Sequence, residues 1–146
     1  MLAVWHGEAG RNAEAVRHLV TAFQGARRDP WPSIPLLERV LHFASEIATR
    51  DPKAAAAIFE ALREPFAVGM AEQTRLRVRL ELTWLLRKGC VEALEPFEPH
   101  PPWEDLFLAQ RARCYREAGH PLAERARADL AEYMKNAPPR LETGLP

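Results

Sequence analysis

The fold of this chain is decided by residues 35–64, PLLERVLHFASEIATRDPKAAAAIFEALRE, which indicate two helices joined by a short turn. On both sides of the turn, apolar residues recur at spacings of three and four, the period of an amphipathic helix. Asp51 is a typical helix N-cap, and Pro52 suits the first helical position, so a second helix begins where the first ends. This stretch therefore predicts a helical hairpin.

Similar helix breaks divide the rest of the chain into segments. Proline and glycine recur between segments rich in Ala, Leu, Arg and Glu, which are strong helix formers. The eight predicted helical segments are 2–9, 12–28, 35–50, 53–64, 70–88, 91–97, 103–118 and 121–136. The predicted fold is all-α, a superhelix or solenoid of about four helical hairpins over residues 1–138, and a disordered tail is expected over 139–146.

One stretch also allows a different structure. From Leu76 to Leu82, apolar and charged residues alternate strictly, which is locally typical of a half-exposed strand. A lone strand would leave its backbone groups unpaired, because no second strand candidate exists elsewhere. As a helix, the stretch has two apolar sides and would lie between two neighbours. The prediction is a helix.

Around the turns at Gly10, Asp51, Gly89 and Gly119, about 30 to 41 residues apart, the sequence resembles a degenerate tetratricopeptide repeat. The first, second and fourth units carry the resemblance at Ala3, Ala15, Leu19, Ala22, Phe23 and Pro30; at Ala44, Ile47, Ala55, Phe59, Leu62 and Pro65; and at Ala112, Tyr115, Ala126, Leu130, Tyr133 and Pro138. The third unit offers Leu82 and Leu85, but Pro96 cuts its second helix short. The resemblance implies stacked hairpins that bind a peptide or protein on their inner face. A compact helical bundle remains the alternative architecture.

Composition excludes several classes of function. The 20 basic and 20 acidic side chains balance, so nothing draws the chain to a phosphate backbone, and no nucleic-acid partner is expected. No apolar run is long enough for a membrane span, and the first residues lack the pattern of a signal peptide. Cys90 and Cys114 lie in separate predicted helices and are expected to be unpaired, which favours a reducing compartment, the cytoplasm.

Motifs for chemistry are missing from the sequence. It contains no phosphate-binding glycine loop, dinucleotide fingerprint or nucleophile elbow, and no acid–base pair with an evident pocket. Neither enzymatic activity nor a cofactor is therefore expected. Glu38, His42 and Glu46 share one face of a helix at spacings of four, which suits either a metal or an ordinary solvated face. The solvated face is favoured, and no metal site is expected.

Basic residues are concentrated in the fifth and seventh predicted helices. In the tetratricopeptide family the first helices of the hairpins line a concave groove, so the resemblance implies that Arg75, Arg79 and Arg111 face a bound partner. His42 and Glu46 complete the candidate binding residues. The competing interpretation is that carboxylates of the same chain neutralise the arginines, with Glu72, Glu81, Glu104 and Glu117 as candidates.

The tryptophans divide between core and surface. Trp84 is expected in the core, among the most buried residues, together with Phe59, Leu62, Leu80 and Leu85. Trp31 and Trp103 stand beside prolines in linkers, where they either hold a loop against the hairpins or contact a partner.

The favoured function is an adaptor or scaffold that binds a protein or peptide. The alternative is a helical accessory domain, for oligomerisation or regulation, of a larger bacterial enzyme or complex. A homo-oligomer could form through the short N-terminal hairpin, whose apolar Leu2, Val4 and Trp5 lack an evident covering helix. A small enzyme with a site between helices is the least favoured interpretation.

Overall fold

The computed structural model describes residues 2–136, except for the side chains of Leu2, Trp5 and Glu8, and this part of the chain is helical without any strand. The helices are α1 Leu2–Glu8, α2 Asn12–Arg28, α3 Ile34–Arg50, α4 Pro52–Ala61, α5 Gly69–Leu86, α6 Cys90–Leu94, α7 Asp105–Glu117 and α8 Ala123–Asn136. A short 3-10 turn, Glu95–Phe97, follows α6. The predicted all-α fold is confirmed. The tail expected over 139–146 lies outside the described residues.

The ambiguous stretch from Leu76 to Leu82 lies inside α5, so the helical prediction is confirmed over the strand. In α5 the apolar residues do occupy two sides: Leu76 and Leu80 are buried on one side, and Val78 and Leu82 are buried on the other. A helix with apolar neighbours on two sides has little solvated surface left for its charged residues. This geometry determines where the arginines of α5 lie.

The turn at Asp51, which the sequence predicts between two helices, forms as expected. Asp51 is the N-cap of α4, and its Oδ1 accepts hydrogen bonds from the amides of Lys53 at 2.9 Å and Ala54 at 3.3 Å. These backbone hydrogen bonds hold the pKa of Asp51 below its usual value. Asn12 is the first residue of α2, and its side-chain amide donates to Asp51 Oδ2 at 3.3 Å. The starts of α2 and α4 are thereby linked.

The chain divides into two compact units, one ending at Ala93 and the other beginning at Leu94. In the first unit α1 packs on α2 and α3 packs on α4, so the hairpins at Gly10 and Asp51 both form. The two hairpins are layered, because α2 contacts α3 and α4, and α5 packs on α3 and α4 in turn. In the second unit α7 and α8 form the hairpin around Gly119.

The core of the first unit is mainly aliphatic, with alanines where helices approach closely. Phe59, Leu62 and Leu80 are buried, as expected. Leu85 is not: 48% of it is exposed, because at spacings of four it follows the exposed Arg77 and Glu81 along the solvent side of α5. Trp84 is only half-buried. The expectation that these two belong among the most buried residues is wrong.

The structure also bears on what the sequence predicts about the cysteines and about membrane-spanning segments. Among the described residues neither cysteine is a free thiol, so the expectation of unpaired cysteines is wrong, and the argument for a reducing compartment loses its premise. No helix in the described part of the chain is both long enough and apolar enough to cross a bilayer.

Candidate functional site

Arg75, the first of the predicted binding arginines, lies inside the first unit with 4% of its surface exposed. Its Nε donates to Glu72 at 2.7 Å, and its Nη1 donates to the carbonyl oxygens of Leu62 and Arg63 just beyond the end of α4. Burial alone would raise the pKa of Glu72, but hydrogen bonds from Arg75 and from the Phe66 amide hold it below its usual value. Arg75 thus satisfies carbonyl groups that the end of a helix leaves unpaired.

Arg79 is equally buried, at 4% exposure. Its Nη2 forms an ion pair with Glu92, and its guanidinium group lies over the ring of Phe59, 4.5 Å from the centroid. Glu92 also accepts from Arg63 at 3.3 Å. The hydrogen bond from Arg79 lowers the pKa of Glu92. Arg79 therefore connects α5 to the start of α6 and to the core.

Arg111 is the most buried of the three, with 2% exposed, and belongs to the second unit. Its Nε and Nη2 donate to Glu98 at 2.6 and 3.1 Å, and its Nη1 donates to Asp129 at 2.7 Å. The hydroxyl of Tyr115 also donates to Glu98, at 3.0 Å. Burial disfavours the charged guanidinium, but the hydrogen bonds that it donates to both carboxylates outweigh this effect and raise the pKa of Arg111.

These contacts correct the predicted groove of arginines. Arg75, Arg79 and Arg111 are each held by carboxylates of their own chain and are closed to solvent, so they offer no charge to a partner. The competing interpretation, neutralisation within the chain, describes them, although of the carboxylates proposed for it only Glu72 takes part. The two apolar sides of α5 indicated that the helix lies between neighbours, but they did not show which of its charged residues are buried, since Arg77 and Glu81 also lie between the two sides and are exposed.

His42 and Glu46 are accessible, with 81% and 45% of their side chains exposed. His42 Nε2 lies 3.3 Å from Glu46 Oε1, an ordinary pair one helical turn apart. No group of three or more metal-ligating side chains comes together among the residues that the structure describes. A role for this pair in partner binding stays a prediction.

One surface that the described residues leave open is a groove between α2 and α3, with a volume of about 250 Å³. Its walls are mainly apolar. They are formed by Ala22, Gly25, Ala26, Asp29, Pro32, Ser33, Leu36, Leu37 and Val40. Small residues on α2 face the larger aliphatic residues of α3, which leaves space that none of the described side chains of the first unit fills. We call this feature the α2–α3 groove.

Trp31 stands beside the α2–α3 groove, in the loop that joins the two helices. It is 90% exposed, and Leu36 on the groove wall is 60% exposed. The loop is fixed locally, because the Trp31 amide donates to Asp29 Oδ1 at 2.9 Å and prolines stand on both sides of Trp31. The indole is therefore presented to solvent by a backbone with little freedom.

Trp103, the other tryptophan of the linkers, is placed differently. Half of it is exposed, and its ring meets that of Tyr133 edge-on, with centroids 6.4 Å apart. Trp103 thus matches the interpretation in which a tryptophan holds a linker against a hairpin, whereas a partner contact by Trp31 stays a prediction.

Leu36 belongs to the same apolar pattern over residues 35–64 as the buried Leu37, and that pattern does not distinguish the exposed residue from the buried one. The groove itself depends on which turns of α2 lie opposite which turns of α3. The only signal available was the run of small residues Ala22, Gly25 and Ala26 before a Pro-Trp-Pro loop.

Comparison with known proteins leaves the chain without a family assignment: no family model matches it, and neither the curated proteins nor the solved structures include a significant match.

Proposed function

We propose that this chain is a non-catalytic protein-binding module and that the α2–α3 groove, with Trp31 beside it, is its contact surface. The observation that carries the proposal is the 90% exposure of Trp31 next to an apolar groove. Leaving a large aromatic side chain in water forgoes the free energy that its burial would give. Exposed apolar patches on otherwise polar surfaces mark interaction sites, and tryptophan is among the residues that dominate binding energy.

The dimensions of the groove favour a segment of a protein over a small molecule. Ligand pockets for drug-sized molecules usually enclose about 300–1,000 Å³ and carry several convergent polar groups. This groove has about 250 Å³, and its two polar lining residues are Asp29 and Ser33. Asp29 Oδ1 already accepts from the Trp31 amide. The space suits one or two apolar side chains of a partner.

The perturbed groups of the described chain support a non-catalytic role. The pKa shifts of Glu72, Glu92, Arg111 and Tyr115 follow from burial and from hydrogen bonds that hold the fold together. None of these residues lines the α2–α3 groove. Perturbed pKa values at a catalytic site would instead be expected inside a cleft.

The proposal is tested by capture with variants. The chain and its Trp31→Ala/Leu36→Ser variant are immobilised and exposed to a lysate of the source organism, and retained proteins are quantified by mass spectrometry. A partner held by the parent and lost with the variant is then purified, and its affinity is measured by calorimetry. We expect the double variant to weaken binding by 2 kcal/mol or more, about thirtyfold, because it removes the apolar anchor.

A matched control uses exposed apolar residues of the second unit, Leu106→Ser with Met134→Ser. These residues are 75% and 63% exposed. A purified partner that binds the Trp31 variant as tightly as the parent, but loses binding to the control variant, would refute the groove.

Sedimentation of the same proteins examines the alternative role. If the chain self-associates and Trp31→Ala abolishes this, the groove serves oligomerisation, as an accessory domain requires. Oligomerisation through the N-terminal hairpin and a cytoplasmic location both stay predictions. In that hairpin Val4 is 39% exposed, while the side chains of Leu2 and Trp5 lie outside the described residues.

A further inference from the structure

Two basic side chains, Arg28 and Arg39, flank the α2–α3 groove, which one acidic side chain, Asp29, lines. Arg28 follows Gly25 by three residues on α2, and Arg39 follows Leu36 by three on α3, and residues at that spacing are neighbours on a helix surface. Gly25 and Leu36 line the groove, while both arginines are exposed, so the arginines lie on its outer shoulders.

Neither arginine is neutralised by a residue that the structure describes. In the described part of the molecule, other exposed arginines such as Arg17 and Arg127 pair with a glutamate one turn away, but Arg28 and Arg39 form no ion pair or side-chain hydrogen bond. The carboxylate that lines the groove, Asp29, has one oxygen directed to the Trp31 amide. Two available guanidinium groups therefore flank an apolar floor.

We infer that the partner segment is acidic: a short peptide whose large apolar side chain enters the α2–α3 groove while aspartate or glutamate residues on either side of it meet Arg28 and Arg39. This inference rests on the proposed function and adds the charge of the partner. Arginine binds carboxylates through two parallel hydrogen bonds, and charges at the rim of an interface select partners and accelerate association. A basic segment of the same shape is repelled.

The test uses three fluorescein-labelled pools of short peptides, followed by fluorescence polarisation. One pool has Leu, Phe or Trp set among Asp and Glu, the second has the same apolar residues among Lys and Arg, and the third is acidic with Ser in place of the apolar residues. We expect the parent chain to bind the acidic apolar pool most tightly. Added salt should weaken this binding, since screening acts on exposed charges.

Charge reversal separates this inference from the proposed function. Arg28→Glu with Arg39→Glu should weaken binding of the acidic apolar pool by about tenfold or more and improve binding of the basic pool. Arg17→Glu with Arg50→Glu makes the same change in net charge on exposed residues away from the groove, and should leave the affinity within about twofold. Circular dichroism confirms that both variants keep the helical fold.

Each remaining outcome decides one of the two claims. Equal binding of the acidic and basic apolar pools, with both lost in Trp31→Ala, overturns the acidic partner and keeps the groove. If the peptide pools bind the parent and the Trp31→Ala variant with equal affinity, the proposal that the α2–α3 groove is the contact surface is overturned. If the acidic apolar pool does not bind the parent, or if only phosphatidylserine vesicles bind through Trp31, the inference of an acidic peptide is overturned.

Discussion

Arg75, Arg79 and Arg111 each connect parts of the chain that are far apart in the sequence. Arg75 connects α5 to the carbonyl groups after α4, and Arg79 joins α5 to Glu92 in α6. Arg111 joins Glu98, which precedes α7, to Asp129 of α8. A planar guanidinium group offers five donors in fixed directions, which a lysine cannot match. These residues therefore specify how the helices are arranged.

Replacing Arg111 should destabilise the fold severely. In Arg111→Met the carboxylate of Glu98 loses its cation and Asp129 keeps only the exposed Arg125, although only 16% and 11% of the two carboxylate side chains are exposed. Removing one partner of a buried ion pair costs about 3–5 kcal/mol, because the remaining charge is left unpaired. Urea denaturation at pH 7 measures the loss.

The control is Arg116→Met in the same helix, where 74% of the arginine side chain is exposed. It should change the free energy of unfolding by less than about 0.5 kcal/mol. Equal effects of the two substitutions would mean that the Arg111 network does not hold the second unit together.

The raised pKa of Tyr115 should make the folded chain less stable at alkaline pH. Burial, and then its hydrogen bond to Glu98, raise the pKa of Tyr115 above the usual 10.0. Because the folded chain keeps this proton and the unfolded chain releases it above pH 10, stability is complete below pH 10 and falls as the pH rises further. The loss from this one group is about 1.4 kcal/mol per pH unit.

Urea denaturation between pH 9 and pH 11 compares the parent with Tyr115→Phe, which cannot ionise at this position. The parent should lose more stability over this range, while the other tyrosine, Tyr133, contributes equally to both. Parallel pH profiles for the two proteins would contradict the assignment.

Whether each arginine is buried or exposed could not be predicted from its residue type. Sequence gives the sign of a charge, but whether it is solvated depends on the helices on either side. On α5, Arg75 and Arg79 are buried whereas Arg77 and Glu81 are exposed, although all four occupy alternate positions of one stretch. Only the position of α5 against α3 and α4 separates them.

At the scale of single elements the sequence predicted much more. The prediction for α2, 12–28, has the observed limits, and α3 and α5 differ from theirs by one or two residues. The end of α3 is fixed by local chemistry at Asp51 and Pro52, which a single sequence shows, whereas the C-cap of α5 is Arg87, which adopts the left-handed conformation two residues before Gly89. The sixth segment, predicted as 91–97, was less accurate: the α-helix ends at Leu94 and continues as a 3-10 turn around Pro96. Proline removes the amide donor that an α-helix needs.

Two glycines of the first unit should respond oppositely to alanine. Gly89 has φ +74°, a backbone conformation that alanine rarely adopts, and a Cβ there would lie 2.8 Å from Cζ of the buried Phe59. Gly89→Ala is therefore strained both in its backbone and by this close contact. We expect it to lose at least 1–2 kcal/mol, on the order of the cost of a strained backbone position. Gly25→Ala lies within α2 with nothing within 4 Å of the new Cβ, and should gain about 0.5–1 kcal/mol.

Thermal unfolding of the two variants beside the parent measures both effects. A neutral Gly89→Ala would show that the close approach of Phe59 to the chain is not required, and a destabilising Gly25→Ala would show that the wall of the α2–α3 groove tolerates no added carbon.

At the scale of the whole molecule, what the sequence could not show is which surfaces meet. The α2–α3 groove brings residues 22–29 against residues 32–40. Whether a helical face is covered depends on the packing of entire hairpins, and apolar periodicity looks the same for a covered face and an open one. Leu37 and Leu36 illustrate this, since they are neighbours in the chain with exposures of 4% and 60%.

Net charge and the open groove together predict the solubility of the protein. The 20 basic and 20 acidic residues cancel, and the isoelectric point is about 7.0. Molecules near zero net charge do not repel each other, so exposed apolar patches then cause association. Solubility should be lowest near pH 7, and Trp31→Ser with Leu36→Ser should raise it most at that pH. Precipitation by polyethylene glycol across pH 5–9 measures this.

Leu106→Ser with Met134→Ser also removes two exposed apolar side chains, but from a surface without the groove, and should raise solubility less. If it raises solubility as much, total apolar exposure accounts for the effect, and the surface at Trp31 is no more adhesive than the rest of the molecule.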